Sequence, residues 1–402
     1  MPLVAPSVAD LARSPELRVT LDWFRRERAW INEQHLKLCR VAAPTFLEQK
    51  RAEWMTERFR ELGWDARLDR AGNVVAALPG RRDSASVAVT AHLDTVLAPR
   101  SSDEIKLSGD GRFLGPGVSD NGAGLAALLA LAAAWNAAPP FSETALAPLL
   151  IANVGEEGEG NLSGMRYVCR DSNASRPKAF LVLDGPNIDH ITCRALASRR
   201  FEVVVTGPGG HSWSDYGAGN PVHALSRAIS EFTAVVPNDP TPRSSFNFGL
   251  IQGGTSINCI PTEARAKVDL RSEKPERIDE MASLLAAAVV QASEAENSRA
   301  TAGRVTARLK EIGSRPGGEL SEGAPILTNL LAVDAFLGIR SRLDCSSTDA
   351  NIPLSLGIPA VSIGAGGQGG GAHTPAEWFH PENRELGLRR ILLAACLLLL
   401  AE

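Results

Sequence analysis

The sequence predicts an α/β protein: a mostly parallel sheet flanked by helices, interrupted by an inserted β-α-β-β-α-β unit of ferredoxin-like order. Three observations lead to it. Short apolar runs that read as buried strands alternate with helical stretches over the first half of the chain, as in a parallel sheet. From about Leu196 the pattern changes to period-two strands separated by two longer helices, the split two-layer order. The first pattern then resumes at Ala324 and runs to the last helix. On this reading residues 1–195 and 313–402 form one domain in two segments, and 196–312 form the insert.

Composition sets the outer limits. With 402 residues, 44% of them hydrophobic, the chain can bury two separate cores. A net charge of -4, with no dense Lys/Arg run, argues against nucleic acid or an anionic membrane as partner and favours small molecules. Residues Met1 to Glu33 hold no apolar core of signal-peptide length, so a cytoplasmic protein is expected. Ile391 to Leu400 is half a membrane span and suits a buried helix better. The cysteines (Cys39, Cys169, Cys193, Cys259, Cys345, Cys396) show no paired spacing and are read as buried thiols.

Taken in order, Pro15 to Leu62 reads as two helical segments broken at Ala43-Pro44, and Gly63-Trp64 opens an extended stretch. Asp69 to Leu78 reads as a hairpin piece turning near Gly72-Asn73, and Ser86 to Ala91 as a strand. A loop runs to Gly117, then Gly122 to Trp135 is Ala/Leu-dense and unbroken, hence a helix on the sheet. Leu149 to Ala152 and Ala179 to Leu183 are strands with a helix, Leu162 to Arg170, between them. In the insert, Phe201 to Thr206, Ser245 to Ile251, Glu263 to Leu270 and Arg304 to Leu309 are strands, and Pro221 to Val235 and Pro275 to Asn297 helices. Ala324 to Phe336 (helix), Ile358 to Ile363 (strand) and Glu385 to Leu400 (helix) complete the first domain. The glycine-rich run Gly364 to Ala372 reads as a flexible loop leading into His373. It does not open a helix and no Lys-Ser/Thr follows it, which argues against a phosphate loop.

Just past the ends of these strands lie His92, Asp94, Asp120, Glu156, Glu157, Asp184 and His373. Ligands of open α/β sheets collect at those ends. So much negative charge at one sheet edge needs cations, and imidazole with carboxylate but no thiolate suits Zn²⁺, with Mn²⁺ or Co²⁺ possible. A dinuclear site explains the set. At a strand end the adjacent Glu156 and Glu157 point to different sides, so one can bind metal while the other handles protons. Asp94, two residues from His92 on an extended segment, can hydrogen-bond the non-ligating nitrogen of that imidazole. Asp120 lies in a glycine-flanked turn before a helix, where it can bridge two ions, cap the helix, or both.

Seven pieces make the reading specific: Ala91-His-Leu-Asp-Thr-Val96, Gly117-Val-Ser-Asp120, Gly155-Glu-Glu-Gly158, Leu183-Asp184, Gly209-Gly-His-Ser212, Gly253-Gly-Thr-Ser-Ile-Asn258 and Ala372-His-Thr-Pro375. In order and content they resemble the co-catalytic zinc exopeptidase and deacylase family of glutamate carboxypeptidase, tripeptide aminopeptidase, dipeptidases, acetylornithine deacetylase and succinyl-diaminopimelate desuccinylase. The resemblance implies that His92 and Asp184 hold one Zn²⁺, that Glu157 and His373 hold the other, and that Asp120 bridges them. It makes Glu156 the general base, His211 the donor to the oxyanion, and Asn258 and Arg271 the grip on the substrate's terminal carboxylate. It also implies a cis Asp120–Asn121 peptide and an insert that serves as lid and dimerisation domain of a homodimer. His35, His190, His223 and His380 fall outside the matched pieces and are read as structural.

The implied activity is cleavage of the terminal amide bond of short peptides. In the family, Asp at the position of Asp184 goes with peptide substrates, and Glu with N-deacylation. Asn121 departs from the Lys that many members carry after the bridging Asp, which leaves an N-acyl or N-carbamoyl amino-acid amidohydrolase as the alternative. A catalytically silent relative would show a gap in the ligand set, and the sequence shows none.

Overall fold

The computed structural model describes residues 7–141, 144–170, 177–237 and 239–400. It opens with α1 (Val8–Arg13), α2 (Pro15–Arg26), α3 (Arg28–Cys39) and α4 (Gln49–Glu61). The stretch from Pro15 to Ala43 that reads as one helical segment starts at α2, capped by the Ser14 hydroxyl, and is divided at Glu27, where α2 ends. β1 (Asp65–Leu68) and β2 (Val74–Ala77) form an antiparallel hairpin. Its turn is tied by Asp69 Oδ1, which accepts the N–H groups of Ala71 and Asn73. β3 (Ser86–His92) is buried throughout. The following loop carries two short strands, β4 (Lys106–Leu107) and β5 (Phe113–Leu114), that have no sequence signal. α5 (Gly122–Ala137) is apolar on every side and buried from Gly122 to Trp135. Each fully buried Leu in it contributes about 2 kcal/mol relative to exposure. Next come β6 (Ala147–Asn153), α6 (Ser163–Arg170), β7 (Ala179–Leu183) and β8 (His190–Ala195).

β9 (Ala197–Thr206) begins the insert, followed by β10 (Gly210–His211), α7 (Pro221–Val235), β11 (Ser244–Gly253), β12 (Cys259–Ile260), β13 (Glu263–Ser272), α8 (Pro275–Arg299) and β14 (Thr306–Arg315). Its main sheet runs β11-β13-β9-β14, all neighbours antiparallel. Phe201, Val203, Val205, Ala264, Ala266 and Val268 alternate along β9 and β13 and bury one face against Leu225 and Phe232 of α7 and Leu285 of α8. β11 is an edge strand, as is β14, and Leu250 and Ile251 stay exposed on β11.

The chain returns through β15 (Gly318–Glu319), α9 (Pro325–Leu337), β16 (Arg342–Ser346), α10 (Asn351–Ser355), β17 (Ala360–Ile363), β18 (Gln368–Gly370), β19 (Trp378–His380) and α11 (Arg384–Leu399). Two compact units result, Met1–Ala195 with Gly318–Glu402, and Leu196–Gly317. The second crossing lies after residue 317 and not after 312, because β14 continues to Arg315.

The larger unit has a mixed, mostly parallel central sheet in the order β1-β2-β6-β3-β7-β17-β8-β15, with β16 beside β8. β6, β3, β7 and β17 are mutually parallel, and the register pairs His92 with Asn153 and Leu183 with Ile363. Their carboxyl ends therefore lie side by side. α5 and α11 supply much of its main apolar core, with Leu125, Leu128 and Leu129 from one and Ile391, Leu392 and Leu393 from the other. Among the described residues no helix is long and apolar enough to cross a membrane.

Two readings need correction. Cys259 is exposed and Cys345 half-buried, so only Cys39, Cys169, Cys193 and Cys396 are buried thiols. The glycine-rich run is not simply a loop: its middle forms β18, which pairs with β19 and through it with β5 and β4 in a small sheet.

Candidate metal centre

β3 ends on His92, and β6 ends three residues before Glu156. Gly155 makes the turn between them at φ 67°, and a Cβ there would meet Ser163 Oγ at 2.2 Å, so only glycine fits. The turn is held by Asp94, whose Oδ1 accepts the Glu156 N–H at 3.0 Å and whose Oδ2 accepts the Glu157 N–H at 2.9 Å. Thr45 donates its hydroxyl to the same carboxylate at 3.0 Å. The sequence reading aimed this carboxylate at the His92 ring. His92 Nδ1 lies 3.5 Å from that carboxylate and 2.9 Å from the backbone carbonyl of Asp94, and the carboxylate binds the two glutamate amides as well.

The other face of His92 meets Asp120. Oδ1 of Asp120 is 3.0 Å from His92 Nε2, and Oδ2 is 3.0 Å from His373 Nε2. His373 Nε2 is also 2.8 Å from Glu157 Oε1. Three sets of potential ligand atoms therefore come within 4.8 Å of one another: His92, Asp120 and Asp184; Asp120, Glu157 and His373; and His92, Glu156 and Glu157. His92, Glu156 and Glu157 are buried, Asp120 and Asp184 half-buried, and His373 is exposed, so the cluster opens to one side. His373 adopts φ 64°, a left-handed conformation that residues with a side chain seldom take.

Protonation follows this crowding. Burial opposes a charge on His92, but hydrogen bonds to Asp120 and Asp94 outweigh it and hold the ring well above its ordinary value. Hydrogen bonds to Asp120 and Glu157 push His373 up to about 10. Burial opposes ionisation of Asp120, but the two imidazoles prevail and hold its carboxyl below the usual range. Asp184, partnered by no imidazole proton, is pushed up to about 7, by burial first and then by the charge of Asp120. Two like charges ~4 Å apart repel by about 4 kcal/mol at an effective dielectric of ~20, so such a cluster draws positive charge.

Some supporting residues escaped the sequence reading. Asn121, not Asp120, caps α5, accepting the Gly124 N–H at 3.1 Å. Its amide also donates to the Leu183 carbonyl at 2.7 Å, tying the Asp120 loop to the strand end that carries Asp184. The Asp120–Asn121 peptide is cis. Glu48 accepts the Gly155 N–H at 3.1 Å. Buried Arg51 donates to the Val41 carbonyl at 2.8 Å and the Leu93 carbonyl at 2.7 Å, and places a cation behind the acidic cluster. His35, read as structural, is buried with its Nε2 2.8 Å from the Val118 carbonyl and its Nδ1 against Arg384.

The insert holds the remaining candidates. His211 on β10 pairs with Cys259 on β12, next to Asn258. Its Nδ1 accepts the N–H groups of Trp213 and Ser214 at 3.2 and 3.4 Å, so the neutral ring carries its proton on Nε2 as a donor. Arg271 is elsewhere, opposite Ser198 near the far end of β13 and ion-paired with Asp269 at 2.6 Å. The unit therefore brings His211 and Asn258 together and leaves Arg271 apart.

Comparison with known families adds kinship to this geometry. A model described as the peptidase dimerisation domain matches residues 197–297, and one described as peptidase family M28 matches residues 73–198. Together the two matches run from the hairpin before β3 into α8 and take in every candidate donor except His373. The two matches support the zinc exopeptidase and deacylase family. An uncharacterised protein of Bacillus subtilis, YqjE, is 23% identical over 379 residues, 90% of this chain and 95% of its own. The succinyl-diaminopimelate desuccinylase of Bordetella petrii is 26% identical over 226 residues, 52% of this chain and 59% of its own. The crystal structure of a tripeptidase from Staphylococcus aureus shares the fold with a TM-score of 0.73 at 20% identity, covering 92% of this chain and 98% of that one. The matched families and the named relatives are thus those of peptidases and amidohydrolases.

Proposed function

We propose that this protein is a dinuclear metal-dependent hydrolase that removes a terminal residue from short peptides. The observation that carries the reading is the carboxylate of Asp120, whose two oxygens face two imidazoles belonging to two separate donor groups. The donor set fits a metal pair: every atom is a carboxylate oxygen or an imidazole nitrogen, and both imidazoles are held above their ordinary value by anionic neighbours. His92 and Asp184 would hold one ion, Glu157 and His373 the other, with Asp120 between them. Zn²⁺ suits the set, as do Mn²⁺ and Co²⁺. The bound pair supplies a water acidified toward about pH 7 and a Lewis acid for the substrate carbonyl.

The chain's own residues do the rest. Glu156, fixed through its backbone by Asp94, takes the proton of the attacking water and returns it to the leaving amine. His211 donates its Nε2 proton to the developing oxyanion. Asn258 and Arg271 receive the substrate's terminal carboxylate, for which a guanidinium is suited.

Asp rather than Glu at position 184 supports peptides as the substrate. The desuccinylase kinship supports N-acylated amino acids as the second reading. A panel of dipeptides, tripeptides and N-acetyl amino acids, offered to metal-stripped protein with and without Zn²⁺, Mn²⁺ or Co²⁺, separates them. Metal-restored release of amino acids from the peptides is the expected result, and amine release from the acylated amino acids alone would turn the assignment to a deacylase.

The insert further supports a homodimer that shares its sites. β11 is an open edge, and at about 3.4 Å per residue the ends of β13 lie roughly 31 Å apart, with Asn258 and His211 toward one and Arg271 near the other. One copy of the unit cannot deliver all three to one substrate, so the partner subunit completes the site. Mixing Glu156→Ala with His211→Ala subunits is expected to restore about a quarter of wild-type activity, the statistical yield of one working site per mixed dimer. No recovery from subunits shown to exchange would mean that His211 acts within its own subunit.

A further inference from the structure

Glu377 is buried, four residues beyond His373, and belongs to none of the potential donor groups among the described residues. Its carboxylate is filled by the loop that carries Asp120. Oε2 accepts the Gly117 N–H at 2.7 Å, and Oε1 accepts the N–H groups of Ser119 and Asp120 at 2.7 and 2.9 Å. The backbone carbonyl of Glu377 accepts the Gly115 N–H at 3.0 Å, and the next residues, Trp378 and Phe379, pair with Leu114 and Phe113. One side chain thus joins two loops that are far apart in sequence. One loop ends in Asp120, and the other begins at His373.

We propose that Glu377 is a positioning residue that locks these loops together and so sets the distance from Asp120 Oδ2 to His373 and Glu157. The inference deepens the dinuclear reading and rests on it. Hydrogen bonds from three amides to one buried carboxylate are charge-assisted and directional, and no neutral side chain of the same size can reproduce them. In Glu377→Gln one oxygen becomes an NH₂ group. Whichever way the amide turns, a donor then faces a donor on one side, and the charge is lost. Side chains that orient metal ligands in this way typically govern 10–100-fold in metal affinity.

The test uses full-length protein stripped of metal, with Co²⁺ alone as probe. In the wild type, hydrogen exchange should find the amides of Gly117, Ser119 and Asp120 as protected as those of the first full turn of α5. Calorimetric Co²⁺ titration of Glu377→Gln at 25 °C should show one of two binding steps weakened by about 10–100-fold and the other within about threefold. The visible Co²⁺ spectrum of the weakened step should change shape, and with metal in excess kcat should fall while KM stays within about twofold. A side chain that served only stability would lower the melting temperature and leave both binding steps and the spectrum alone, and that result overturns the proposal. Freely exchanging amides in the wild type overturn it without any variant. A wild type that binds no Co²⁺ would sink the dinuclear reading itself, while the exchange data still decide whether Glu377 holds the loop.

Discussion

Replacing Glu156 by alanine is expected to lower kcat by about 10³-fold or more, with both metal ions retained and KM little changed. The expectation rests on how its neighbour differs from it. Glu157 Oε1 is 2.8 Å from His373 Nε2 and shares a donor group with Asp120, whereas Glu156 contributes only to a group with His92 and Glu157. Removing Glu156 leaves the two groups centred on Asp120 intact. It takes away the base that receives the water's proton, a contribution worth 10²–10⁴-fold in general. Metal content by atomic emission, measured beside turnover of the best substrate from the panel, checks both halves of the prediction. Loss of one equivalent of metal together with activity would make Glu156 a ligand and leave the proton without an assigned acceptor.

Asp120→Ala should be more damaging to metal binding than loss of any other single donor. Both groups of potential ligands that flank it use one of its oxygens, so its removal opens both at once. The affinity for each ion is expected to fall by more than about 100-fold, beyond the range typical of changes one layer further out. His373→Ala should weaken one ion alone, because its ring meets Asp120 and Glu157 but neither His92 nor Asp184. Titrations of the two variants with Zn²⁺ under identical conditions give the comparison. Equal, single-ion losses in both would mean that Asp120 does not bridge.

What could be read from the sequence, and what could not, divides along a physical line. β3, β6, β7 and β17 were legible because a strand covered on both faces is a continuous apolar run. β8 and β16 lie toward one edge of the same sheet, mix apolar and polar residues, and carry no such run. β18 is Gln-Gly-Gly, which reads as a loop in any window, and only its partner β19 makes it a strand. His92, Glu156, Glu157 and Asp184 were legible as polar side chains at or just past the end of an apolar run, and Asp120 and His373 through the short pieces of sequence around them. The residues that aim them were not. Asn121, Glu48 and Glu377 act on backbone amides and carbonyls, and a backbone partner leaves no trace in residue type. Asp94 shows the same limit from the other side: its spacing pointed to the His92 ring, and nothing in the sequence showed that its carboxylate also takes the amides of Glu156 and Glu157.

The order in which a ribosome releases these elements has a consequence for assembly. β17, between β7 and β8 in the central sheet, and α11, a main part of the core beneath it, both follow the insert in the chain, as does His373. When the insert emerges it can bury its own core at once, because both helices and all four strands of its main sheet are local to it. The larger unit must wait, with β7 lacking a neighbour along one edge and the main core lacking α11. A chain stopped after the insert would hold one finished domain beside an apolar, half-built sheet, with His92, Asp120, Glu157 and Asp184 already made. The second group of potential donors is thereby completed only in the last stage of synthesis, when the strand between β7 and β8 and His373 arrive together.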